Sequence, residues 1–216
     1  MSLARLSRLI GRRQAILSLA LGGLVVATSV PAAAAPEVGK PAPDFSAVDS
    51  NGKRVKLGDY RGKVVVLEWT NDGCPYVAKH YGTGNMQKLQ ADAASKGVTW
   101  LTVISSAPGT QGHVMGLEAN KLTEDRKAKP AAVLLDPNGT VGRLYDARTT
   151  PHMYIVDTSG KLAYMGAIDD KPSANHETVK GARNYVSEAL DAVLAGKPVA
   201  TASTRPYGCS VKYQGS

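Results

Sequence analysis

Three scarcities bound this 216-residue chain: one phenylalanine (Phe45), two cysteines (Cys74 and Cys209), and no acidic residue before Glu37. Two cysteines permit a single intramolecular bridge, which excludes a small scaffold held together by many disulfides. No Lys/Arg block occurs, and without the four arginines of the first 35 residues the balance is 22 basic against 18 acidic residues. That is a solvated mixed-charge surface, so no nucleic-acid partner is expected. Internal repeats are absent as well. The most local absence follows Cys74: position 77, where a C-x-x-C redox motif would carry its second thiol, is Val77.

The acid-free start has its own logic. Arg5, Arg8, Arg12 and Arg13 precede the uncharged run "QAILSLALGGLVVATSVPAAAA", which closes on small residues with an A-x-A site near Ala34. A basic head, an apolar middle and a small-residue end predict a signal peptide over 1–35 and a periplasmic, exported product. The Arg12–Arg13 pair fits the twin-arginine route. The competing expectation is an uncleaved anchor, since the run is long enough to span a bilayer. Membrane contact is expected through that segment only.

About 180 residues remain, enough for one domain with its own core: 36–196, followed by a tail, 197–216, that carries Cys209. Period-2 and β-branched patterns predict a hairpin over Phe45–Asp49 and Arg54–Leu57, and buried strands over Val64–Thr70, Val98–Ser106 and Ala131–Asp136. A second hairpin is expected over His152–Asp157 and Lys161–Ile168. Helical patterns cover Pro75–Ser95, weakened at Gly82–Gly84, and Met115–Lys127. Another covers 177–198, with a stripe of Val179, Ala182, Val186, Leu190 and Val193. Alternation of this kind predicts an α/β domain whose central mixed sheet is flanked by helices.

Cys74 falls where a strand gives way to a helix. Unpaired N–H groups at a helix start favour an anion, Pro75 suits the first turn, and a thiol there has more thiolate at neutral pH. The bland alternative is a buried small hydrophobe. Asp72 could cap the helix. Arg148, just before "TTP", could bring positive charge. A copper or zinc site from Cys74, His80 and His152 has no supporting ligand spacing, so no metal and no cofactor are expected.

The strings "GKPAPDFSAVDSNGKRVKLGDYRGKVVVLEW", "GCP" and "TTPHMYIVDTSGKLAYMGAID", in that order, resemble the thioredoxin-like superfamily over about residues 38–196. Within it the chain is most similar to exported redoxins of the alkyl-hydroperoxide-reductase/thiol-specific-antioxidant type. The resemblance implies a thioredoxin-like fold with an N-terminal β-hairpin extension, a nucleophilic Cys74, and a cis-proline at Thr150–Pro151 packed beside it. Two departures stand out. The peroxidase pattern P-x-x-x-T-x-x-C finds Leu67 and Asn71, and W-C-x-x-C finds Gly73 and Val77.

Resolving cysteines remote in sequence occur in the resembled family, which makes Cys209 the candidate resolving thiol. The expected activity is thiol-disulfide exchange or peroxide reduction, with a protein thiol or disulfide or a peroxide as partner; the electron donor is not legible. The competing expectation is a non-catalytic protein in which Cys74–Cys209 is a structural staple.

Overall fold

The computed structural model describes residues 35–215, so the leader expected over 1–35 falls almost wholly outside the described residues. The elements run β1 (Ser46–Asp49), β2 (Arg54–Lys56), β3 (Val65–Trp69), α1 (Pro75–Gly82), α2 (Asn85–Ser95), β4 (Thr99–Ile104) and α3 (Gly116–Asp125). They continue with β5 (Ala132–Leu135), α4 (Thr140–Leu144), β6 (Thr149–Thr150), β7 (His152–Val156), β8 (Leu162–Gly166), α5 (Tyr185–Leu194) and β9 (Cys209–Ser210).

Seven strands form one mixed sheet in the order β2-β1-β5-β4-β3-β7-β8. β3 pairs parallel with β4 and antiparallel with β7, with Trp69 opposite Val103 and His152. Helices pack on the sheet, as an α/β layered domain requires. The strand faces follow from the period of two. Val65, Leu67 and Trp69 face one core with Tyr145 and Tyr154, and Val66 faces the other with Val77, Leu89, Ile155 and Val186. Burying each aliphatic side chain contributes about 1.5–3 kcal/mol of transfer free energy.

Two expectations need correction. The helical run Pro75–Ser95 is two helices, because Gly84 takes a left-handed φ of 76° and the Thr83 hydroxyl donates back to the Lys79 carbonyl at 2.8 Å. The closing helix starts only at Tyr185, where the Asn184 side chain accepts from the Ser187 amide at 3.0 Å and caps it. Val179 and Ala182 therefore lie outside it.

The tail, which shows no periodicity in the sequence, is docked on the domain. Ala202 and Thr204 exchange backbone bonds with Met165, the Val211 amide donates to the Arg148 carbonyl at 3.0 Å, and Val211 is buried in the core. β9 pairs with β6 to make a second, two-stranded sheet. Two residues are too few for periodicity to show in the sequence.

Candidate active site

β3 ends at Trp69, and a short turn leads to Cys74, which is the N-cap of α1 with Pro75 at its first position. Gly73 makes that turn at φ 82°. The opposite wall is the loop before β7, where the Thr150–Pro151 peptide bond is cis. Cys74 Sγ lies 3.1 Å from the Thr150 carbonyl oxygen and 2.8 Å from Cys209 Sγ. Both cysteines are free thiols, Cys74 buried and Cys209 half-buried.

The second sulfur arrives by strand pairing. Thr149 is the register partner of Ser210 and Thr150 that of Cys209, antiparallel. Gly208 makes the approach possible at φ 148°, its α-carbon facing the Thr150 carbonyl and the Pro151 nitrogen so closely that a Cβ would have no room. The structure thus brings Cys74, Thr150, Pro151 and Cys209 together.

The two thiols differ in acidity. Burial, the largest influence on Cys74, pushes its pKa up; the Cys209 thiol, the Val77 and Cys209 amides and Thr150 outweigh it, and the net direction is down. Burial also leads for Cys209, and here the Cys74 sulfur adds to it through its hydrogen bond and charge, so the pKa is pushed up to about 11. A helix-start thiolate with a protonated partner beside it is the resting arrangement these shifts favour. The Thr150 hydroxyl, buried beside Cys74, is among the groups that favour its thiolate.

Behind the thiols sits a carboxylate that sequence reasoning passed over. Glu68, inside β3, is fully buried and accepts from Tyr81 Oη at 2.7 Å and Trp100 Nε1 at 2.8 Å, with Gln90 and Thr102 farther off. Burial raises its pKa against those hydrogen bonds. Its signal was available: one charged residue in an otherwise apolar strand. Arg126, also missed, stacks over the Tyr81 ring at 4.7 Å and pairs with Asp72 at 3.1 Å. It lines an open groove of about 610 Å³ beside Cys74, together with Tyr81, Gln87 and His176.

Other candidate residues stand elsewhere. Asp72 does not cap α1, because Arg126 holds its carboxylate. Arg148 is an exposed side chain paired with Asp146 at 2.6 Å, not a partner of the thiols. His152 faces Tyr154 Oη at 3.1 Å, and burial depresses its pKa to about 3. His80 faces Tyr207. Among the described residues no three His, Cys, Asp or Glu side chains group as metal ligands. Asn71, where a peroxidase threonine would stand, spends its amide on Ser106 Oγ (3.1 Å) and the Gln111 carbonyl (2.9 Å).

Comparison with known proteins bears on the family and the fold. The thiol-disulfide oxidoreductase ResA of Bacillus subtilis (strain 168) is 26% identical over 131 residues, 57% of this chain; the chain spans 64% of that relative's length. An uncharacterized conserved protein from Geobacillus kaustophilus superposes with a TM-score of 0.70 at 27% identity, over 83% of this chain and 94% of that one. A candidate thiol:disulfide interchange protein DsbE from Chlorobium tepidum gives 0.54 at 25%, over 74% and 99%. The fold is thioredoxin-like, with the expected mixed central sheet. A family model matches residues 38–165, and the chain belongs to the AhpC/TSA family.

Proposed function

We propose that the protein is an exported thiol-disulfide oxidoreductase in which Cys74 attacks and Cys209 resolves. The observation that carries this reading is the 2.8 Å separation of two sulfurs 135 residues apart in sequence. In the first step the Cys74 thiolate bonds to one sulfur of a substrate disulfide and the other leaves as thiolate. In the second, Cys209 loses its proton and its sulfur bonds to Cys74 Sγ, expelling the first substrate sulfur as thiolate. Two electrons pass to the substrate, and an external dithiol must return them. The chemistry a C-x-x-C motif supplies is divided between a helix start and a tail strand, which accounts for Val77.

A protein disulfide is the preferred substrate over a peroxide, because Asn71 replaces the peroxidase threonine and its amide nitrogen is already engaged. The name of the Bacillus subtilis relative points the same way. Export rests on the leader pattern, and N-terminal sequencing of secreted protein should start near Ala35.

The test is turnover of a disulfide-bonded protein substrate by wild type, Cys74→Ser and Cys209→Ser. Loss of turnover in Cys74→Ser, with a trapped mixed disulfide on Cys74 in Cys209→Ser, is expected. The rival reading, a structural staple, draws on the burial of Cys74 and the docking of the tail on both sides of Cys209. A very low reduction potential with no turnover on disulfide or peroxide would establish the staple instead.

A further inference from the structure

A second polar cluster lies along α1, away from the sulfurs, and nothing in the two-thiol chemistry uses it. Lys79 and His80 are both 0% exposed and Asp169 is 2%. Their common partner is Tyr207, two residues before Cys209 in the tail. Its hydroxyl donates to Asp169 Oδ1 through a short hydrogen bond. The same oxygen faces Lys79 Nζ at 3.1 Å and His80 Nε2 at 3.2 Å.

The donor directions are fixed by the surroundings. Asn85 Nδ2 lies 2.8 Å from His80 Nδ1 and donates to it, which leaves the proton on Nε2, aimed at Tyr207. Burial depresses the His80 pKa to about 4, so the ring is neutral near pH 7. Lys79 also donates to the Lys171 carbonyl at 2.9 Å and stands 3.5 Å from Asp169 Oδ2. The Tyr76 ring lies against Tyr207, centroids 5.9 Å apart.

Tyr76, Lys79 and His80 are spaced i, i+3, i+4, so they form one face of the helix that Cys74 begins. Tyr207 precedes Cys209 by two residues, across the bend at Gly208, so a tie on its hydroxyl holds the chain immediately before the thiol. The cluster therefore ties the arm that carries Cys209 to the helix that carries Cys74. Upstream, Arg205 is exposed and Pro206 half-buried, leaving Tyr207 as the tie next before the thiol. A buried ion pair is weak evidence for stability by itself. Here it surrounds a single hydroxyl of the tail, two residues before Cys209.

We propose that Tyr207 is a positioning residue for the resolving thiol: clasped by Lys79, His80 and Asp169, it holds the arm that delivers Cys209 to Cys74. This rests on the two-thiol reading above. When a substrate sulfur occupies Cys74, Cys209 must give way and then return. The clasp keeps it within reach, so resolution outruns release of the mixed disulfide.

The test follows the reaction of the reduced protein with glutathione disulfide, by acid quench and mass spectrometry. Cys74 Sγ bonds to one glutathione sulfur and the other glutathione leaves as thiolate. Cys209 then loses its proton, bonds to Cys74 Sγ and expels the second. Tyr207→Phe keeps the ring and removes the hydroxyl. Resolution is expected to slow at least tenfold, with glutathione accumulating on Cys74. The first attack, measured in Cys209→Ser with and without Tyr207→Phe, is expected to change less than twofold.

Resolution within twofold of wild type overturns the proposal, as does an equal slowing of both steps, which marks a merely structural role. If Tyr207→Phe does not fold, Lys79→Met with Asp169→Leu replaces the ion pair by apolar side chains and leaves the hydroxyl without its clasp. The same selective slowing is expected, and its absence overturns the proposal. A wild-type protein that never forms the Cys74–Cys209 bond sinks the two-thiol reading itself, and this proposal with it.

Discussion

Cys209 lies directly across the strand pair from Thr150, and Thr150 is the residue whose carbonyl touches Cys74 Sγ at 3.1 Å. One backbone pairing thus sets the distance between the two sulfurs and makes their titrations interdependent. Removing Cys209 as Cys209→Ala takes away a side-chain hydrogen bond that lowers the Cys74 pKa and should shift it upward, against the remaining Val77, backbone 209 and Thr150 hydrogen bonds. Cys74→Ala should conversely let Cys209 fall from about 11, since only burial still raises it. Alkylation rate against pH reads both shifts. A wild-type Cys74 that titrates at or above free cysteine contradicts this arrangement.

Gly208 is the residue on which that pairing depends. Gly208→Ala places a methyl group against the Thr150 carbonyl at a φ that L side chains rarely adopt. The expected cost is about 1–2 kcal/mol of arm docking, a factor of about 5–30 in the docked population. Formation of the Cys74–Cys209 bond under a glutathione redox buffer should weaken accordingly, while the overall circular-dichroism spectrum stays unchanged. An unaltered equilibrium would show that the arm tolerates the methyl group.

Much of the frame was legible in the sequence for a physical reason: buried strands and amphipathic helices carry their packing as a period. "VVVLEWT" and "VTWLTVISS" became β3 and β4, and Val77, Tyr81, Leu89 and Ala93 are buried on α1 and α2. Cys74 announced itself by its place between strand and helix. What was hidden depends on chain segments meeting from far apart. Arg126 reaches the groove from the residue just after α3, Asp169 and Tyr207 come from loop and tail, and β9 is two residues long. No local pattern encodes such meetings. Val179 and Ala182 fit the stripe of α5, whereas the Asn184 cap decides where the helix starts.

Glu68 tests whether the buried carboxylate is matched to its donors. Its Oε1 accepts from Tyr81, and its Oε2 from Trp100, Gln90 and Thr102. Glu68→Gln turns one of those oxygens into an amide nitrogen that faces donors. A buried donor left without an acceptor costs about 1–3 kcal/mol. The urea midpoint should fall by the corresponding amount with an unchanged slope. A midpoint equal to wild type would mean that the network rearranges around the amide.

Acid should weaken the fold through its buried histidines, and the sign follows from their shifts. His80 and His152 have pKa values near 4 and near 3 in the folded protein, both depressed chiefly by burial. The ordinary value is about 6.5. Above pH 6.5 both are neutral in either state and their contribution is complete. As pH falls from 6.5 toward 4 the unfolded chain takes up protons that the folded one refuses, so stability declines. Each ring accounts for up to about 1.4 kcal/mol per pH unit in that window. Glu68 acts oppositely: its raised pKa favours the folded state as pH falls through it. Urea unfolding between pH 8 and 4 should show the decline. His152→Gln, which cannot titrate, should remove about half of the histidine slope, and an unchanged slope would place the acid sensitivity in other groups.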